Sequence, residues 1–184
     1  MSIERLVDYF KKQDLSGDDI LKMIGRPPIL YSDLQKYKSL REMLTPKQPY
    51  AVILYQTSSK TDGHYVCIFI RQNKIYFQDS YGLKPDTEQQ YAAYDKKLPR
   101  YLTELIESDG RELVYNTFDY QAKSSSVATC GRWSCIRILL CDLENEQFKH
   151  VFYNNKVPYL TPDNIVVMLT LTGLNNIQEY FDKN

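Results

Sequence analysis

Three short runs between Tyr50 and Gln78 constrain this chain most. Tyr50-Ala51-Val52-Ile53-Leu54-Tyr55, His64-Tyr65-Val66-Cys67-Ile68-Phe69-Ile70 and Lys74-Ile75-Tyr76-Phe77-Gln78 are rich in β-branched and aromatic residues. Their length and composition predict buried strands, and the brief Arg71-Gln72-Asn73 break predicts that the last two form a hairpin. Alternate residues of a strand share a face. With a loop of two or four residues, His64 pairs opposite Asp79 or Tyr81, and both registers put Asp79 on the face of His64. Opposed side chains lie about 4.5–5.5 Å apart at Cβ and diagonal ones about 7–8 Å, so imidazole and carboxylate can bond. A loop of three or five residues separates them unless a bulge intervenes.

Helices surround this core in the sequence. Ile3 to Phe10 carries apolar residues at helical spacing. Ser16 is a cap for a short helix through Ile20, Leu21 and Ile24, with Gly25 as its stop. Pro27-Pro28 then imposes an extended connection, and Leu40 to Leu44 allows a further turn or two. Past the hairpin, Leu98 to Ile106 reads as a helix closed by Gly110, and Leu113 to Phe118 as a fourth strand. A helix from Cys130 to about Leu143 is apolar on most sides and therefore central. Thr161-Pro162 starts another, with Gly173 as its stop. The 184 residues fit one domain: a helical lead-in over 1–49, a core over 50–143 and a C-terminal extension with a helix over 144–184.

Charge and cysteine usage exclude several classes. There are 23 basic and 23 acidic residues and no long basic block, so the electrostatic footprint of a nucleic-acid binder is missing. Lys11-Lys12 and Lys96-Lys97 read as solvated helix faces. No apolar run reaches the roughly 18 residues that span a bilayer, and the first residues lack the pattern of a secretory signal. A soluble protein of a reducing compartment, without membrane partners, is expected. Cys67, Cys135 and Cys141 sit among apolar residues as core thiols. Neither a CxxC nor a paired histidine occurs, so no metal is expected.

Cys130 differs from the other three because it opens a helix. A helix N-terminus carries partial positive charge and unpaired N–H groups, which favour a thiolate. His64 supplies a base, and Asp79 an acid that fixes its tautomer. The backbone N–H of Cys130 is one oxyanion donor and the Gln121 amide a second, with Asn116 a competitor. Gly131 removes bulk beside the sulfur, and Arg132 either pairs with carboxylates or lines a cleft. Each residue also has a plain structural reading. His64 caps a carbonyl, Asp79 initiates the Asp-Ser-Tyr-Gly turn, Gln121 is an exposed loop residue, and Cys130 is one more core thiol. His150, the other histidine, reads as structural or exposed after a helix.

Gly63-His64-Tyr65-Val66-Cys67-Ile68-Phe69, Ile75-Tyr76-Phe77-Gln78-Asp79-Ser80-Tyr81-Gly82-Leu83, Gln121 and Thr129-Cys130-Gly131-Arg132-Trp133 together resemble the adenain/Ulp1-like cysteine proteases. The version found in virophages, Polinton-like elements and large DNA viruses is the most similar, and the resemblance covers roughly 50–143. It implies an α+β fold of circularly permuted papain-like order, with a mixed or antiparallel central sheet flanked by helices. It implies His64 as general base, Asp79 as orienting acid, Cys130 as nucleophile and Gln121 as oxyanion donor, with no cofactor. Tyr65 stands where many cellular members carry Trp, and Ser124-Ser125-Ser126 lengthens the interval before Cys130. A substrate cleft along Tyr65, Gly131, Arg132 and Trp133 is expected to favour small residues before the cut. The resemblance points to processing of capsid or other virion precursor proteins, in the virion and the host cytoplasm, with an activating peptide as a further partner. A ubiquitin-like-protein deconjugating protease and a catalytically silent binding module are the rival readings.

Overall fold

The computed structural model describes residues 2–57, 59, 62–91, 97–154, 157 and 160–171. The expected stop at Gly173, Lys96 and parts of the 58–63 loop lie outside them. The hairpin sets the architecture. Gln72 and Asn73 both take positive φ, 48° and 59°, which is the two-residue I′ geometry whose twist matches that of the flanking strands. Arg71 therefore faces Lys74, and the register runs back to Val66 opposite Asp79.

These strands form the centre of a five-stranded mixed sheet. Its members are β1 (Ile29–Leu30), β2 (Tyr50–Tyr55), β3 (His64–Arg71), β4 (Lys74–Asp79) and β5 (Leu113–Tyr115). β2, β3 and β4 pair antiparallel, while β1 and β5 flank them in parallel. The α+β class with a mixed sheet flanked by helices is thus the architecture of the chain. β1 corrects the reading of the segment after Pro27-Pro28 as a plain connection. Two residues carry no period, and only their pairing with Ile53 and Leu54 makes them a strand. β5 stops at Tyr115, short of the expected Phe118, because Asn116 leaves the ladder to bond β4.

Each sheet face carries its own core. One buries Val52, Leu54, Tyr65 and Cys67 beneath helices α1 (Ile3–Lys11), α2 (Gly17–Ile24), α5 (Cys130–Leu139) and α7 (Pro162–Thr170). The other buries Ile53, Val66, Ile68 and Phe77 beneath α3 (Leu40–Met43) and α4 (Tyr101–Asp109). A third cluster, around Trp133, Phe148, Phe152 and Val166, fixes α5 against α7 and α6 (Asn145–Tyr153). The sequence reading did not resolve α6. His150 lies within it, exposed, rather than after a helix. The reciprocal Glu144/Gln147 capping box was the local signal for its start.

Helix ends follow their local chemistry. Ser16 and Asp19 cap α2 reciprocally, and Gly25 ends it at φ 72°. Thr161 caps α7, with Pro162 in its first turn. α5 ends at Leu139 and not near Leu143, because Arg137 folds back on the carbonyls of Leu140 and Leu143 at 3.1 and 2.9 Å. Its guanidinium is sandwiched by Phe69 and Phe148, 4.7 and 5.0 Å from their centroids. Burial lowers its pKa.

Trp133 is fully buried and packs edge-on to Phe152 with centroids 4.7 Å apart. Trp133→Ala should lower the unfolding free energy by about 3–5 kcal/mol, read as a lower denaturation midpoint at unchanged slope.

Candidate active site

The site forms at one end of the sheet, where β3 begins, β4 ends and the N-terminus of α5 abuts both. Gly63 makes the entry to β3 possible. A Cβ there would overlap the Tyr55 carbonyl oxygen and stand 2.6 Å from the Thr57 nitrogen, so only glycine lets the chain turn this tightly into His64. Asp79 is fixed from the opposite side. The Asn116 amide accepts from the Asp79 N–H at 3.1 Å and donates to its carbonyl at 2.6 Å. A second hydrogen of that amide goes to the Phe118 carbonyl. Asn116 therefore holds backbone, and it is not among the residues lining the cleft that carries Cys130.

His64 Nε2 lies 3.0 Å from Asp79 Oδ1. A carboxylate only accepts, so Nε2 carries the proton, which leaves the other ring nitrogen for Cys130, a neighbour that adds to the upward pull on the imidazole pKa and lines the same cleft. Tyr81 stacks on the ring, centroids 4.9 Å apart and planes 17° from parallel. This is the register in which His64 faces Tyr81 and meets Asp79 diagonally. Asp79 Oδ1 also accepts the Tyr81 N–H at 2.7 Å, so the turn-initiating role and the imidazole contact belong to one oxygen. Oδ2 is buried without a partner among the described residues.

Burial opposes a charge on His64, but the Asp79 carboxylate and its hydrogen bond, joined by Cys130, hold the pKa well above the usual imidazole value. The sign follows. Imidazolium stabilises the fold fully below the unfolded value near 6.5, and that contribution is lost as pH rises through the folded one.

Cys130 is 5% exposed, and its Sγ accepts the Tyr65 N–H at 3.5 Å. Thr129, in the N-cap position of α5, makes no side-chain cap bond. The first N–H groups of the helix are thus left without a capping side chain. Gln121 is 3% exposed, unlike a free loop residue. Its Oε1 accepts from Ser80, and its amide hydrogens go to Tyr81 Oη and the Val127 carbonyl, both at 3.1 Å.

Cys130, His64 and Gln121 share a cleft of about 460 Å³ with Asp14, Asp62 and Glu88. The four residues expected to line it do not. Tyr65 is buried in the core beneath α1 and α2. The space beside Gly131 is filled by Leu15 and Tyr65, each 3.2 Å from an added Cβ. Arg132 is fully buried. It bonds Thr170 at 2.9 Å and the Phe10 and Gln13 carbonyls at the end of α1 at 3.1 and 3.5 Å, and burial depresses its pKa to about 10. Trp133 Nε1 donates to Asp163. These residues build the wall behind the thiol, so the expected preference for small residues loses its basis here. Ligand atoms of His64, Asp79 and Glu88 lie within 4.8 Å of one another. A cation among them would first have to break the imidazole–carboxylate bond. Glu88 and Tyr81 are site residues that the sequence reading passed over.

No family model matches the chain. Protein V9 of Sputnik virophage is 34% identical over 173 residues, covering 89% of this chain and 97% of V9. Among solved structures, the central domain of a Legionella pneumophila protein aligns over 91% of this chain and 99% of its own, at 12% identity and TM-score 0.46. The SUMO protease Ulp1 with its catalytic cysteine oxidised to a sulfenic acid aligns over 92% of both chains, at 14% identity and TM-score 0.41.

By NMR titration, His64 should remain protonated above the ordinary imidazole range. Asp79→Asn should lower its pKa by removing the largest opposing charge, and Gly63→Ala should lower it by displacing the start of β3. An unmoved titration in Asp79→Asn would dissociate the two side chains.

Proposed function

The chain belongs to one family with protein V9 of Sputnik virophage, and on that premise we propose that it is a cysteine endopeptidase. One observation carries the reading. His64 bonds Asp79 at 3.0 Å and shares a single cleft with Cys130, an arrangement in which a proton moves between sulfur and imidazole with the ring held in one tautomer.

The reaction follows from the atoms present. The Cys130 thiolate, its proton already held by His64, attacks the scissile carbonyl carbon through Sγ. The carbonyl oxygen becomes an oxyanion beside the open N–H groups at the start of α5. Gln121 joins them by exchanging Tyr81 or Val127 for that oxygen. Collapse expels the amine, which takes the proton from His64 and leaves a thioester on Cys130. Water, deprotonated by His64, then cleaves the thioester to a carboxylic acid and restores the thiol.

The substrate is a protein, and the virophage relative together with the sequence resemblance supports a capsid or other virion precursor. Asp14, Asp62 and Glu88 line the cleft, and no Lys or Arg stands among its described lining residues. Precursor segments carrying basic residues at the cut fit that field.

Co-expression with candidate capsid proteins, followed by mass mapping of new termini, tests this reading. Cys130→Ala and His64→Ala should remove nearly all cleavage with the fold intact. Asp79→Asn should cost less, and Gln121→Ala should lower turnover by about 10²-fold. Cleavage confined to the tail of a folded ubiquitin-like modifier would reassign the substrate, and cleavage that survives Cys130→Ala would end the proposal.

A further inference from the structure

Asp163 stands in the first turn of α7, outside the cleft, and is 4% exposed. Its carboxylate accepts three hydrogen bonds. Oδ1 receives Thr129 Oγ1 at 2.5 Å and Trp133 Nε1 at 3.0 Å, and Oδ2 receives the Ala122 N–H at 2.9 Å. The first two donors flank Cys130 at the start of α5. The third is the backbone of the residue next to Gln121. One buried group thus ties both ends of the loop 121–130, whose middle, Ser124 to Ser126, is exposed.

The Thr129 bond has a second consequence. Threonine before a helix ordinarily turns its oxygen to the N–H groups of the first turn. Here the hydroxyl donates to Asp163, and α5 has no side-chain cap. Those N–H groups are the ones that face a substrate oxygen at Cys130. A buried carboxylate is costly unless its lone pairs are occupied. Three donors and the N-terminus of its own helix offset that cost for Asp163.

We propose that Asp163 is a positioning residue for the peptidase reaction. It sets the separation of the Cys130 sulfur and the Gln121 amide, and it keeps the α5 N-terminus open by holding Thr129. The inference rests on the reading of Cys130 and Gln121 given above, and it concerns transition-state geometry rather than substrate affinity.

Asp163→Asn tests it, because an amide of the same shape must turn an NH₂ toward at least one of three donors. With a quenched peptide spanning a mapped cleavage site, kcat should fall about 10- to 100-fold with KM little changed. In a Gln121→Ala background the same substitution should cost only the several-fold share that acts through Thr129, because the clamp then has no amide to place. A role in folding alone predicts losses that multiply. Wild-type kcat in a folded Asp163→Asn protein, or full multiplicativity, overturns the proposal. If Asp163→Asn does not fold, Thr129→Val decides, with a several-fold fall in kcat expected and an unchanged kcat contradicting it. Alkylation of Cys130 by iodoacetamide at neutral pH, measured in the same variants, separates this inference from the peptidase reading. A wild type that alkylates fast but cleaves no peptide removes the proposed function. A slower rate in Asp163→Asn then still supports the clamp, and an equal rate refutes it.

Discussion

The bond between His64 and Asp79 depends on a two-residue turn that begins eight residues after the imidazole. Gln72 and Asn73 accept left-handed backbone geometry, which is unfavourable for side-chain-bearing residues by about 1–2 kcal/mol each. In return the hairpin closes in even register, and parity delivers the carboxylate to the face of the ring. A slip of one residue would send Asp79 to the opposite face. The same parity leaves Tyr65 and Cys67 to pack beneath α5, so the order of the site and the order of the core are one property of the strand pair.

The second constraint is how α5 holds still. Its first nine residues are all buried, and two of them are arginines. Each arginine donates to carbonyls near a helix end, Arg132 at the end of α1 and Arg137 at the end of α5 itself. Cations there complement the helix dipole. Asp163 plays the reciprocal part at the N-terminal end. The thiol thus sits on a helix fixed at both ends by buried ionic groups, and its cleft face is kept free of capping side chains.

Much of this was legible because it is local or periodic. Strand parity placed Asp79 with His64, and Ser16, Gly25 and Thr161-Pro162 marked helix ends by their own chemistry. What escaped notice depends on partners distant in sequence. β1 has two residues and becomes a strand only against β2. Asp163 is an ordinary helix-start acid until Ala122, Thr129 and Trp133 reach it. Adjacency in sequence misled at Arg132: two residues on, a helix has turned about 200°, so the side chain points away from the face that carries the sulfur. Gly131 in the sequence suggests an opening for substrate, whereas Leu15 and Tyr65 occupy that space.

Everything in this account requires that the imidazole at 64 act on the sulfur at 130. Iodoacetamide alkylation followed by peptide mapping measures that most directly. At neutral pH Cys130 should be modified first, well ahead of Cys67, whose pKa burial pushes up to about 12, and of Cys135, raised for the same reason. His64→Ala should slow Cys130 to the pace of an ordinary thiol. Alkylation of Cys130 at one rate with and without the imidazole would contradict the account.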